Sequence, residues 1–377
     1  MLKKDKILFL IHDLGHGGAE KVLVNLVNNM DRSKFDISVT ALFGGGVNEQ
    51  FLRPDIHYRA VFPRAIPGNS HLMKLMPPAQ LHALCVKEHY DIEVSYLEGP
   101  SARIISGCQD PDTKLVSWIH CTMHSPQDAA GGFRSIGEAA SCYNRMDTMV
   151  FVAETAKAAF LRNCAYTGRS AVLYNTNDTD LILRRVAEPA ELAPGAFCWC
   201  GMGKLTPVKG FDRMLRIQKR LTEAGHAAHL YILGEGELRN ELEDTARSLG
   251  ISGSVTFLGY QTNPYQYLAR CGLFVCASHS EGFSTAATEA LIVGTPVCTV
   301  EVSGMKEMLG GNNEWGIVTE NDEEALYLGI KQLLDDPALL AHYKEKAAQR
   351  GKTFSTESTV KAVEELLLPL QGDCDKD

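Results

Sequence analysis

The segment Glu281-Gly282-Phe283-Ser284-Thr285-Ala286-Ala287-Thr288-Glu289 sets two acids with seven residues between them. Ser284 suits a helix N-cap, and the apolar run from Ala290 to Val293 carries a helix on to Gly294. Glu281 then sits in the loop before the helix and Glu289 more than one turn inside it. A carboxylate accepts from two neighbouring hydroxyls at once. Acids at these two heights therefore suit two hydroxylated parts of one ligand, with the backbone N–H groups between them facing phosphate. Helix capping alone explains Glu281 better than Glu289. An acid within Ala-Ala-Thr-Glu-Ala-Leu-Ile-Val needs a partner if it is buried.

Two lysines form the second group. Lys204 and Lys209, in Gly201-Met202-Gly203-Lys204-Leu205-Thr206-Pro207-Val208-Lys209-Gly210-Phe211, flank a turn just before a helix. A diphosphate leaving group needs cations as its charge develops, and point charges at a helix N-terminus supply them. The plainer reading is two solvated surface lysines. Gly15-His16-Gly17-Gly18-Ala19-Glu20 opens another helix, where glycines let backbone approach a ligand and the helix N-terminus favours phosphate. A tight turn explains these glycines equally well, and the spacing is not the dinucleotide GxGxxG.

Short apolar runs alternating with helical patterns position these groups. Strands are expected at 6–11, 35–42, 91–96, 114–119, 148–152 and 171–174, with helices at 19–30 and 154–161. The grammar restarts with strands at 197–200, 228–233, 255–258, 273–276 and 296–299 and helices at 210–224 and 235–249. A last helix over 355–368 precedes a polar tail. Strand–helix alternation implies parallel sheets covered on both faces. A linker at 188–195 gives the division 1–180 and 181–360, with 361–377 as terminal helix end and tail. In such sheets ligands bind beyond the carboxyl ends of the strands, so the post-strand loops of two facing domains should line a cleft.

A chain of 377 residues is long for a single core. Residues 1–180 hold 18 Lys and Arg against 19 Asp and Glu, so nearly all of the net charge of −9 lies in the second half. This acidity argues against nucleic-acid binding. The 11 cysteines are scattered through apolar runs without CxxC pairs or zinc-type histidine spacing, which suits core residues of a reduced cytosolic protein. No run of about 18 apolar residues suggests a membrane span. The expected location is therefore cytoplasmic, at most peripheral on the inner face of the plasma membrane.

Taken in order, the Gly-Gly-Ala-Glu helix, the two lysines and the acid–seven–acid segment resemble the retaining glycosyltransferases of family 4, with the GT-B fold. Val150-Phe151-Val152-Ala153-Glu154, Leu173-Tyr174-Asn175-Thr176 and Leu230–Gly236 extend the likeness over nearly the whole chain. The resemblance implies an α/β chain of two Rossmann-like parallel-sheet domains facing each other across a cleft, and a donor that is a nucleotide-sugar, with UDP the commonest among relatives. It places Lys204 and Lys209 on the donor diphosphate. Lys204 stands where most members have arginine, which keeps the charge but loses the bidentate fork. Glu281 would meet the transferred sugar, Gly282, Phe283 and Ser284 would offer backbone N–H groups, and Glu289 would hold the ribose. Gly17 and Gly18 would approach the diphosphate, and the base would lie near Gly259-Tyr260-Gln261.

His120, ending a strand in Ser117-Trp118-Ile119-His120, matches a histidine that relatives place near the reacting sugar. A satisfied strand-end histidine is the plainer alternative. With Lys209 and Glu281 it makes up the catalytic set the resemblance implies. No cofactor or metal is expected, and Asp178-Thr179-Asp180 reads as a turn signal rather than a metal motif. The acceptor would be a glycan or lipid-linked saccharide of bacterial envelope or exopolysaccharide assembly. Residues 53–74, with Arg53, Arg59, Arg64 and Lys74 beside Leu72, Met73, Leu75 and Met76, suit either an anionic membrane or an ordinary variable loop. Two other readings remain beside transfer: a nucleotide-sugar-binding subunit without catalysis, and a GT-B epimerase or hydrolase. The intact lysines and acids argue against both.

Overall fold

The computed structural model describes residues 3–15, 17–65 and 73–368. The chain divides into two compact units, one running to Thr176 and resuming at Thr356, the other spanning Asn177–Ser355. The first unit holds strands β1 (Asp5–Ile11), β2 (Phe35–Phe43), β3 (His57–Phe62), β4 (Ile92–Ser95), β5 (Lys114–Ile119), β6 (Thr148–Phe151) and β7 (Arg169–Val172). Its helices are α1 (Gly18–Asn29), α2 (Pro78–Cys85), α3 (Pro100–Ile105), α4 (Pro126–Ala129), α5 (Ile136–Tyr143) and α6 (Glu154–Asn163). The second unit holds α7 (Thr179–Arg185), β8 (Phe197–Met202), α8 (Phe211–Glu223), β9 (Ala228–Leu233), α9 (Arg239–Ser248), β10 (Val255–Gly259) and α10 (Tyr265–Leu268). It continues with β11 (Leu273–Cys276), α11 (Thr285–Ile292), β12 (Val297–Val300), α12 (Met305–Leu309), β13 (Ile317–Thr319), α13 (Glu323–Asp335) and α14 (Pro337–Gly351). Helix α15 (Thr356–Leu367) returns to the first unit.

Every strand pairing is parallel. The first sheet runs β3-β2-β1-β4-β5-β6-β7 and the second β10-β9-β8-β11-β12-β13. Each sheet winds outward from its first strand, then returns and winds outward on the other side. Strand order thus reverses between β1 and β4, and again between β8 and β11. Central β1 shows why the apolar runs lack alternation. Ile7 to Ile11 are all fully buried, because helices cover both faces. Helix α1 lays Val22, Leu23, Leu26 and Val27 on the first core. In the second core, buried Trp199 donates from Nε1 to Gln218 Oε1 at 2.7 Å, and Gln218 donates onward to Ala228 O at 2.8 Å, so both buried polar groups are satisfied.

The structure departs from several sequence expectations. The first division falls at Thr176/Asn177 rather than 180, because α7 belongs wholly to the second unit. Arg185 there donates to Thr262 O at 2.6 Å, and Asn263 donates to Arg185 O at 3.0 Å. The second division falls at 355 rather than 360, because α15 packs on the first unit. Buried Glu364 accepts from Asp31 N–H and from Lys34 Nζ, each at 2.7 Å. Lys114 Nζ caps the helix end, donating to Leu366 O at 2.9 Å and Leu367 O at 3.2 Å. The helix expected from 235 begins only at Arg239, since the preceding residues are stitched to the loop after β8, with Leu205 N–H on Glu235 O at 2.9 Å. The strand expected at 171–174 ends at Val172, in register with Phe151. Part of the 53–74 segment is not loop but edge strand β3, on which Arg59 is exposed; Leu72 lies outside the described residues.

Replacing Glu364 with Ala leaves the Asp31 N–H without its acceptor and removes the Lys34 pair. Loss of a charge-assisted bond to partly buried backbone costs about 1–3 kcal/mol. Urea denaturation of the variant should show this loss in the transition of the first unit.

Candidate functional site

The second sheet's order reversal separates the loops after β8 and β11, and the chemistry of that sheet collects there. The loop after β8 ends in a 3₁₀ turn, Pro207–Lys209, before α8. Gly210 joins the two with φ 65°, and a Cβ placed on it would stand 2.2 Å from Ala277 O in the loop after β11. Only glycine allows both the left-handed backbone and this approach. His279 N–H donates to Val208 O at 2.8 Å, tying the same two loops a second time.

This approach brings Lys209 to Glu281. Lys209 Nζ donates to Glu281 Oε1 at 2.6 Å, and Ser278 Oγ donates to the same oxygen at 2.7 Å. The Cys276 thiol stands 3.8 Å from it. The Glu281 side chain is 10% exposed and that of Lys209 29%, so the pair is only partly screened by water. Lys204, five residues earlier, is exposed. Of the two lysines, therefore, Lys209 meets the acid.

Glu289 lies within α11 and is 3% exposed. Its carboxylate accepts from Tyr265 Oη at 3.3 Å, the partner that an acid in so apolar a sequence requires. Ser284 caps α11 as expected, accepting from Ala287 N–H at 3.4 Å. Phe283 is buried, its ring 6.0 Å from that of Phe354, which anchors the backbone of 282–284 beside Glu281. Near the expected base site, Gly259 O accepts from Gly234 N–H at 2.8 Å, and Tyr260 is exposed.

Sequence reasoning missed Ser278 and Arg213. Arg213 Nη2 lies 2.8 Å from His279 Nδ1, and Nη1 donates to Asn321 Oδ1 at 2.8 Å, bracing the loop that carries Glu281. Ser278 was findable as a small hydroxyl three residues before the acid. Arg213 carries no such signal, being one charge among several on an amphipathic helix. Asp178 proves to be the N-cap of α7, accepting from Leu181 N–H at 2.9 Å, which gives it a backbone role.

In the first unit, Gly17 and Gly18 stand at the start of α1, beyond the carboxyl end of β1. His120 follows β5 directly, and its N–H donates to Glu98 Oε2 at 2.9 Å. The imidazole leans on Tyr96 with ring centres 4.9 Å apart, and buried Nε2 has no hydrogen-bond partner among the described residues. Burial pulls the imidazole pKa down to about 4, against the opposing pull of the Glu98 charge. His124 donates through its backbone to Asp128, part of the Ser125 capping box of α4, and His12 pairs with Asp13 at 2.6 Å. A trio of metal-capable side chains, buried Glu93 and Cys108 with half-buried His82, also lies in this unit; there the His82–Glu93 pair at 2.8 Å already satisfies the acid. Among the ten described cysteines Cys121 is exposed, against the expectation of core positions throughout, because it follows His120 in the loop beyond β5. Among the described residues no helix is long and apolar enough to cross a membrane.

Two Rossmann-like sheets of this order match a known architecture. Anabaena HepE, crystallised with UDP, superposes with a TM-score of 0.76 at 20% identity, over 96% of this chain and 99% of its own. A sucrose-phosphate synthase from Thermosynechococcus elongatus gives 0.76 at 16% identity, over 96% and 98%. The fold is GT-B. The profile of the glycosyl transferases group 1 matches residues 194–350, and that of glycosyltransferase family 4 matches residues 16–181. A Campylobacter jejuni enzyme, N-acetylgalactosamine-N,N'-diacetylbacillosaminyl-diphospho-undecaprenol 4-alpha-N-acetylgalactosaminyltransferase, is 28% identical over 360 residues, 93% of this chain and 95% of its own. Rhizobium meliloti LpsD, a lipopolysaccharide core glycosyltransferase, is 30% identical over 176 residues, 46% of this chain and 49% of its own. The chain belongs to the glycosyl transferases of group 1.

The state of His120 sets a pH dependence. Its folded value lies below the ordinary value of about 6.5, so between the two the unfolded chain binds the extra proton. Stability from this group is complete above about pH 6.5 and is lost as pH falls toward 4. Calorimetry from pH 7 to 4 should show wild type losing a few kcal/mol more than His120→Gln, which stays neutral throughout. Gly210→Ala should destabilise the second unit by about 1–2 kcal/mol from backbone strain alone, and a thermal melt reads the loss directly.

Proposed function

We propose that this glycosyltransferase moves a sugar, with retention of anomeric configuration and without a metal, from a UDP-sugar to a glycan or lipid-linked saccharide in envelope polysaccharide synthesis. The observation that carries the reading is the meeting of Lys209, Ser278 and Glu281 at the second order reversal, with buried Glu289 on the helix that follows. Glu281 takes the hydroxyls of the transferred sugar, and Glu289, oriented by Tyr265, takes the ribose diol. Lys209 and Lys204 neutralise the diphosphate as it leaves, while the N–H groups of residues 282–284 and the α11 N-terminus support it.

The Lys209–Glu281 contact adds a step to this scheme. The ammonium is already close to where charge develops, but it is shared with a carboxylate. An arriving diphosphate draws it away, and Glu281 is then released toward sugar hydroxyls. Binding donor and arming the acid thus become one rearrangement. The leaving phosphate oxygen accepts the acceptor hydroxyl's proton on the same face, so the protein's part is positioning and electrostatic stabilisation. On the acceptor side, neutral His120 offers Nε2 to a sugar hydroxyl. Support for UDP and for a lipid-linked acceptor comes from the ligand of HepE and the substrate named for the Campylobacter enzyme. Membrane contact through Arg53, Arg59, Arg64 and Lys74 belongs to the same reading.

Thermal shifts against UDP, GDP, ADP and their sugars test the donor. UDP compounds should raise the melting temperature, since a ligand selective for the folded state stabilises it by mass action. Glu289→Ala should weaken that shift at least tenfold in ligand concentration, and Lys209→Ala should cut turnover about 10²–10³-fold. Wild-type transfer by both variants, or a shift with GDP or ADP alone, would rule the assignment out.

A further inference from the structure

The two sheets share a layout, and the acids follow it. In the second sheet the strand that opens the return side is β11, and its loop carries Glu281. In the first sheet that strand is β4, and its loop carries Glu98, three residues beyond the strand end at Ser95. Each sheet therefore sets a carboxylate at its order reversal, where open parallel sheets bind ligands.

Glu98 is also joined to its surroundings in a directed way. Its Oε2 accepts the backbone N–H of His120 at 2.9 Å. The same charge acts on the next residue: desolvation of the Cys121 sulfur, with the Glu98 charge beside it, holds the thiol above its ordinary range even though the residue as a whole is exposed. The next residue is pinned as well, Gly99 N–H reaching Tyr143 Oη at 3.4 Å. One side chain from the β4 loop thus holds the first residue of the β5 loop and sets the charge felt by the next. Beside them stands an imidazole with a buried Nε2 that has no partner among the described residues.

We propose that Glu98 is the positioning residue of the acceptor side, fixing His120 just beyond the carboxyl end of β5 so that its imidazole meets a saccharide hydroxyl. The inference rests on the role given to His120 above. A carboxylate that accepts the His120 N–H fixes the residue that carries the imidazole, and misplacement on the order of 1 Å at a reacting centre costs about a hundredfold in rate.

The test compares Glu98→Ala and Glu98→Gln with His120→Ala in the full chain. Three quantities are read: the thermal shift given by UDP; UDP release from UDP-N-acetylgalactosamine and UDP-glucose in the presence of a short-chain prenyl-diphosphate N-acetylhexosamine; and the rate at which N-ethylmaleimide alkylates Cys121, followed by peptide mass spectrometry. The UDP shift should stay at the wild-type value in all three variants. Glu98→Ala should slow release at least tenfold and speed Cys121 alkylation at least threefold. Glu98→Gln, whose amide oxygen still accepts, should fall between. Wild-type release by Glu98→Ala overturns the inference whatever the alkylation rate, and an unchanged alkylation rate overturns it even where the probe is not turned over. Loss of the UDP shift along with release also overturns it, since Glu98 then serves the fold. Wild-type release by His120→Ala sinks the role of His120 itself and this inference with it, whereas slow release by His120→Ala beside normal Glu98→Ala sinks only the inference.

Discussion

Parallel strands cannot be joined by tight turns, and the rest of this architecture follows from that constraint. Each connection must cross a face of the sheet and return to the same edge, so all amino ends lie along one edge and all carboxyl ends along the other. A sheet grown in both directions from its first strand then has one place where neighbouring crossovers leave on opposite faces. The loops there part, and side chains just past the strand ends enter the gap. In this chain those places are β1/β4 and β8/β11. Glycines at the start of α1, Glu98, Lys209, Ser278 and Glu281 all lie within seven residues of the four strand ends concerned.

The two reversals are furnished in opposite electrostatic styles. At the second, Lys209, Ser278 and Glu281 form a compact, partly buried polar knot whose charges offset each other. An ammonium held this way needs only to exchange one oxyanion for another in order to meet an anionic group. At the first reversal, the carboxylate of Glu98 is spent on the His120 backbone N–H, and the imidazole beside it is kept neutral by burial. A neutral imidazole offers a hydrogen bond without adding charge. One edge suits a highly charged ligand, the other an uncharged polar one.

Much of this was legible in the residues. The apolar runs gave most strands to within two residues, since strands buried on both faces have no other composition available. The Glu281–Glu289 pair and Lys209 stood out because acids in apolar helices and lysines beside glycine turns need reasons. Other features were hidden because they depend on contacts distant in sequence. Gly210 is required by Ala277 O, 67 residues away in the chain numbering. Arg213 braces Asn321 across 108 residues. Edge strand β3 carries an Arg and a His on exposed positions and has none of the continuous apolarity that marked its neighbours. Helix α15 was visible as an element, but the unit it serves was not, because an amphipathic stripe says only that something covers it.

That last helix has a consequence for how the protein is made. A chain leaves the ribosome from its amino end, so β1 to β7 emerge long before residue 356. Until then the ground later covered by Val360, Val363, Leu366 and Leu367 stays open, and the Asp31 amide still lacks the carboxylate it will hold. The second unit is continuous in sequence and has all its parts once Ser355 is out. The domain that begins first is therefore the one completed last. A nascent chain stalled anywhere in its second half carries a nearly finished sheet with a bare apolar strip, the kind of surface chaperones recognise.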